Sequence, residues 1–189
     1  MKRIVLLLIG ILMLNVACQD ESIEPEYKTT DTKSAKYEKT KTYDVKAVVT
    51  AIPDNEGSQI TCVPEEAGVI LAGSGWVSGH ENILGKFDSD NSSYNKEYCE
   101  FSMTAEGPVV YTITDVILQR MNGEQLFVKN YMWINLVNGE ISGYNDVIDG
   151  TGKFEGASGK TTMLNGKVDL ETGIGYWEEE GYIILVSKG

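Results

Sequence analysis

Residues 43–189 predict an all-β domain of eight or nine antiparallel strands, on three observations. No window sustains the apolar period of an amphipathic helix, and short alternating or β-branched stretches recur instead. Between those stretches stand Gly, Asn and Asp, which tolerate the positive φ of tight turns. Some 147 residues is an ordinary single-domain length, long enough to enclose a core. With so many strands, closure into a barrel removes exposed edges, whereas a sandwich must protect them by other means; the barrel is the preferred arrangement.

The strand candidates follow in order. Residues 43–52 come first, ended by Asn55-Glu56-Gly57, and 59–63 and 68–77 come next. A polar loop, 88–93, separates these from 98–104 and 109–118. Asn122-Gly123 then turns the chain into 125–137, and Asn138-Gly139 turns it into 140–148. Residues 160–170 carry Asn165-Gly166, and Thr172-Gly173 leads into 175–186. Asn-Gly pairs between strand candidates are hairpin signals.

The chain before residue 43 has a different character. Met1-Lys2-Arg3 is a cationic start, and the apolar run from Ile4 to Leu14 is eleven residues, about 16 Å as a helix and too short to span a bilayer. This is the pattern of an export signal covering residues 1–17. It ends in Asn15-Val16-Ala17-Cys18, which resembles the lipobox of bacterial lipoproteins, with Asn15 where that pattern has Leu. The resemblance implies that Cys18 is acylated, palmitate being a typical chain, and becomes the new N-terminus. Gln19-Asp20-Glu21-Ser22 resembles the surface-export signal of Bacteroidetes-type lipoproteins. It implies an outer-membrane protein of the cell envelope displayed at the cell surface, with the periplasmic face as the alternative. Residues 18–42, rich in Glu, Lys, Thr, Asp and Ser and free of glycine, predict a disordered tether.

The formal charge is −12, and loss of Lys2 and Arg3 on cleavage makes it −14. Such acidity excludes nucleic acid as an electrostatic partner, and membrane attachment rests on lipid.

The most specific internal feature is the glycine run Gly150-Thr151-Gly152-Lys153-Phe154-Glu155-Gly156-Ala157-Ser158-Gly159. Its glycine spacing is wrong for a phosphate loop, and it continues into a strand pattern. The run resembles the Gly-Thr-Gly-x-Phe-x-Gly-Ala-x-Gly signature of allene oxide cyclase-like and dirigent-like barrels, which are calycin-like. Three further stretches are similar to that family in the same order: Ile83-Leu84-Gly85-Lys86-Phe87, Met121 to Leu126, and Gly166 to Ile183. The resemblance implies an antiparallel eight-stranded β-barrel. In the local reading, Gly150, Gly152, Gly156 and Gly159 shape the backbone while Phe154 enters the core.

Chemistry-bearing residues are few. The lone His80 leaves no catalytic triad, and neither a His pair nor Cys-x-x-Cys exists to hold zinc, so no catalytic residue, metal or cofactor is assigned. Cys62 and Cys99 are expected to pair as a disulfide in an oxidising compartment, with two free thiols as the alternative. Asp88 to Ser93 lacks the glycine and glutamate of an EF-hand and reads as a polar loop. Glu178-Glu179-Glu180 reads as a solvated bulge or turn, although strand alternation would send at least one of the three inward. Trp76, Tyr131, Trp133, Tyr176 and Glu178 are the candidate ligand-binding set, lining a barrel mouth suited to a small apolar ligand or a glycan. The function expected is a non-enzymatic binding or structural module, with a cyclase- or isomerase-type enzyme acting on a hydrophobic substrate inside the barrel as the alternative.

Overall fold

A computed structural model of the chain describes residues 39–187. The export signal, Cys18 and nearly all of the expected tether lie outside the described residues.

Eight long strands form the frame: β1 (Lys39–Pro53), β4 (Ser74–Glu81), β6 (Ser93–Thr104), β7 (Gly107–Gln119), β8 (Gln125–Asn135), β9 (Glu140–Gly150), β10 (Ser158–Val168) and β11 (Gly175–Ser187). Three short strands complete the set: β2 (Gln59–Thr61), β3 (Ile70–Ala72) and β5 (Gly85–Lys86). The ladder runs β1-β11-β10-β9-β8-β7-β6-β4, and β4 pairs back onto β1, so the sheet closes. All of these pairings are antiparallel. Closure leaves no long strand of the ring with an open edge, which settles barrel against sandwich.

β1 holds the ring together because it is long enough to serve two partners. Its register with β11 runs from Lys39↔Ser187 to Ala51↔Gly175, while residues 47–53 also face β4 from Ala47↔Glu81 to Pro53↔Gly75. The domain therefore begins earlier than the boundary at residue 43. Lys39 to Thr42 were expected in the tether because their side chains are polar and exposed, but pairing with β11 satisfies their backbone.

Three further boundaries differ from the sequence pattern. Residues 68–77 are not one strand: β3 forms a separate hairpin with β2, and β4 belongs to the barrel. β6 starts at Ser93, five residues before the expected strand, at the end of the polar loop. Asn165-Gly166 is not a hairpin turn but a bulge within β10, with Asn165 at φ 53°.

The main core gathers inward residues of every long strand around Val45, Val49, Val77, Val128, Val147 and Ile183. Leu84, Phe87 and Phe154, none more than 1% exposed, belong to it. A second cluster holds the Cys62–Cys99 disulfide and Val110, with Ile60, Val69, Leu71 and Phe101 packed against it, and so ties the β2–β3 excursion to the wall.

The glycine run is a folding device. Phe154 ends the short 3-10 turn Gly152–Phe154 and is fully buried. The Asp149 carboxylate accepts the Gly150 and Gly156 N–H groups, each at 2.8 Å, and Glu124 accepts the Lys153 N–H at 3.1 Å. These bonds hold both carboxyls below the usual carboxylate range, for Glu124 together with a still larger contribution from Asn122. Gly152 sits at φ 62°, where a Cβ would also strike the Glu124 side chain. Two carboxylates of the chain itself thus occupy the amide donors that an anion would need.

Candidate functional site

The interior is apolar at both ends and polar across the middle. Inward positions on neighbouring strands fall into one cross-strand row, Lys96↔Thr114↔Asn130↔Asn145↔Thr161, which crosses β6, β7, β8, β9 and β10. Side-chain hydrogen bonds extend that row. Asn130 Nδ2 donates to Asn145 Oδ1 at 2.7 Å, and Asn145 Nδ2 donates to Thr161 Oγ1 at 2.9 Å. The Thr161 hydroxyl donates to Glu179 Oε2 at 2.9 Å, and Trp177 Nε1 donates to Glu179 Oε1 at 2.7 Å.

Two buried acceptors remain open: among the described residues, Thr112 Oγ1 and Asn130 Oδ1 have no hydrogen-bond partner. Both residues line an internal cavity of about 110 Å³, together with Val49, Val77, Met132, Trp177 and Glu179. An apolar cavity of about 150 Å³ accepts benzene, so this one is on the scale of a single ring or a short chain. An unpaired polar atom in such a place costs about 1–3 kcal/mol until a partner arrives.

Charge inside the barrel is tuned by burial. Burial pushes the Glu179 carboxyl above the usual carboxylate range, against the opposing hydrogen bonds from Trp177, Thr161 and Asn145. Glu179 keeps some accessible surface, which fits its place on the cavity wall. Glu81 is 3% exposed and also raised by burial, although its two oxygens accept the Ile83 and Leu84 N–H groups at 2.8 and 2.7 Å. It therefore braces the turn into β5. Lys96 is pushed down to about 8 by burial, and its ammonium donates to Ala72 O at 2.8 Å, above the Tyr94 ring.

The sequence-derived ligand set does not line this cavity. Trp76, Trp133 and Tyr176 are 44%, 39% and 55% exposed, and Glu178 is exposed too. Tyr131 stacks on Tyr144, itself paired across from outward Thr162. All five lie on the outer face because each strand alternates: inward Gly75 and Val77 send Trp76 out, and inward Met132 and Asn130 send Tyr131 and Trp133 out. On β11 the inward pair is Trp177 and Glu179, one residue along from Tyr176 and Glu178. The three glutamates are consequently strand residues and not a turn, with Glu179 the inward one. His80 is exposed, Asp146 pairs with Lys160 at 3.5 Å, and among the described residues no acidic, His or Cys cluster could hold a metal ion. Asp88 orders its own loop, accepting the Asp90 N–H and the Asn91 amide.

No protein-family model and no curated protein matches the sequence. Among solved structures, the chain is similar to the pterocarpan synthase dirigent protein, at 14% identity and a TM-score of 0.45 over 85% of this chain and 100% of that one. The barrel assignment rests on the closed strand ladder itself.

The polar row was missed because threonine and asparagine on a strand read as outward residues. The available signal was the alternation: Thr112 and Thr114, and likewise Asn130, keep step with apolar residues on the same face.

Proposed function

We propose that the chain is an exported lipoprotein, anchored to the outer membrane through acylated Cys18 and displayed at the cell surface, whose barrel is a non-enzymatic binding module. The ligand is a small, largely apolar molecule with one polar group. The observation that carries this reading is the mostly apolar cavity with two unpartnered buried acceptors in its lining, Thr112 Oγ1 and Asn130 Oδ1. A donor on the ligand meets those acceptors, and burial of its apolar part supplies about 25 cal/mol per Å². Such a module needs no catalytic constellation.

Native mass spectrometry of the purified chain, followed by solvent extraction, is the test. Wild type should carry a small organic molecule, and Ala47→Phe, which fills the cavity from β1, should not. A wild-type interior free of any organic molecule would sink the binding reading. The anchor is tested separately: Cys18→Ala should abolish palmitate labelling and release the protein from the membrane fraction, and unchanged fractionation would refute it.

One observation favours a second reading, a cyclase- or isomerase-type enzyme. Glu179 is a carboxyl that burial keeps protonated more readily than usual, and it faces the same cavity. Under that reading Glu179→Gln would leave the bound molecule unconverted, whereas under the first it would leave the molecule chemically identical to that found in wild type.

A further inference from the structure

The outer wall carries a second concavity, independent of what the interior holds. β10 contains one residue more than its partners between Thr162 and Gly166, where it faces 144 and 141 of β9, and again between Leu164 and Lys167, where it faces 178 and 176 of β11. Asn165 is that extra residue, and it is the one non-glycine residue with positive φ among those described. A bulge of this kind kinks its strand and parts it from its neighbours. At the bulge lies an outward groove of about 580 Å³, within the size range of small-molecule sites.

The groove has the functional groups that a sugar requires. Trp133 and Tyr176 both line it, and both are exposed. Aromatic rings on such walls pack against the C–H faces of a pyranose. Glu106, Glu140, Ser142 and Asn165 supply acceptors for hydroxyl groups. Several of these groups are free: among the described residues the Trp133 indole N–H, the Tyr176 hydroxyl, the Glu106 carboxylate and the Ser142 hydroxyl make no hydrogen bond, and Asn165 uses only its Nδ2, on Glu178 at 3.0 Å. Lys167 is engaged weakly, at 3.3 Å from Glu140 and 3.4 Å from Asn138 O.

From this we infer that the groove at the β10 bulge binds a neutral glycan, with Trp133 and Tyr176 stacking on sugar rings and the carboxylates taking hydroxyl protons. The two carboxylates and the overall charge of −12 discriminate against uronate-rich or sulfated chains. The outer face of the sheet at this end of the barrel, and not the lumen, is then the glycan-binding surface.

The test uses the full-length chain in detergent and isothermal titration calorimetry. The probes are malto-, cello-, xylo-, manno- and chitohexaose, with polygalacturonate as the acidic comparison. At least one neutral hexasaccharide should bind, and Tyr176→Ala, Trp133→Ala and Glu140→Gln should each weaken it at least about fivefold. Trp76→Ala, exposed but outside the groove, should leave the affinity unchanged. Trp133 also packs against Tyr111 at 4.8 Å, whereas Tyr176 has no ring partner among the described residues, so Tyr176→Ala guards against a folding artefact. Binding of none of the neutral probes, binding of polygalacturonate alone, or wild-type affinity in Tyr176→Ala would overturn the assignment.

Discussion

Replacing Lys96 by Met should change how stability responds to alkaline pH. The side chain lies in the barrel wall with its ammonium on Ala72 O, and burial brings it from 10.5 in the unfolded chain to about 8 in the folded one. Between those values the unfolded chain binds the extra proton and the folded one has lost it, so stability rises with pH. Over the whole window the gain approaches 2.5 pH units at 1.36 kcal/mol each, about 3.4 kcal/mol. Between pH 7.5 and 9.5 it is about 2 kcal/mol, since the folded-state lysine is partly deprotonated at the lower end. Tyr94 acts in the opposite sense above pH 10, because burial and Asp54 raise it to about 12. Stopping at pH 9.5 keeps the two apart. The assay is urea unfolding of wild type and Lys96→Met at half-unit steps. The difference between the two curves should grow by about 2 kcal/mol in favour of wild type across this range, whatever its value at pH 7.5. Parallel curves would refute the claim that Lys96 is desolvated.

Other consequences are equally direct. Removing the Cys62–Cys99 bridge by a double Ala substitution should lower stability by about 4 kcal/mol, from the loop entropy of a 37-residue separation. At roughly 2–4 °C per kcal/mol, differential scanning calorimetry should show a fall of about 8–16 °C, and a loss below 2 °C would contradict it. Glu179 and Glu81 are both raised by burial, so stability should decline as pH climbs from their ordinary 4.5 through the elevated folded-state values; Glu179→Gln should make that decline shallower, Glu81 supplying what remains, as read by thermal melts. Gly181→Ala drives a Cβ into Lys160 O and the Thr161 Cα, both backbone atoms, so urea unfolding should report a loss of about 1–3 kcal/mol or more. A change within about 0.5 kcal/mol would mean that β10 and β11 are not so closely apposed there.

Strand content and turn positions were legible because they depend on local chemistry. Gly123 and Gly139 both take the positive φ that their Asn-Gly pairs announce, and Cys62 meets Cys99. Which residues face inward was less legible. On unbroken strands the parity can be followed: Thr112, Thr114 and Val116 keep step along β7, and Asn130 and Met132 keep step along β8. A sequence alone does not say whether the row so obtained faces the core or solvent when it mixes Thr and Asn with Val and Met. Trp76, Tyr131, Trp133 and Tyr176, expected to line a barrel mouth, lie on the outer face by that parity.

Bulges remove even the parity. On β6 the inward residues are Tyr94 and Lys96, but beyond the register shift at 96–98 they are Cys99 and Phe101, paired with Thr112 and Val110. On β10 they are Thr161 and Met163 before the bulge and Gly166 and Val168 after it. One extra residue turns odd positions into even ones, because side chains alternate with a period of two. The same insertion has a consequence on each side of the wall. Inside, it keeps Val168 against the core while Thr161 stays in register with Asn145, so the polar row and the apolar end coexist on one strand. Outside, it parts β10 from its neighbours next to Trp133 and Tyr176, where the groove lies. Asn165 is thus the residue at which β10 exchanges its inner and outer parity, and its positive φ is the backbone cost of that exchange.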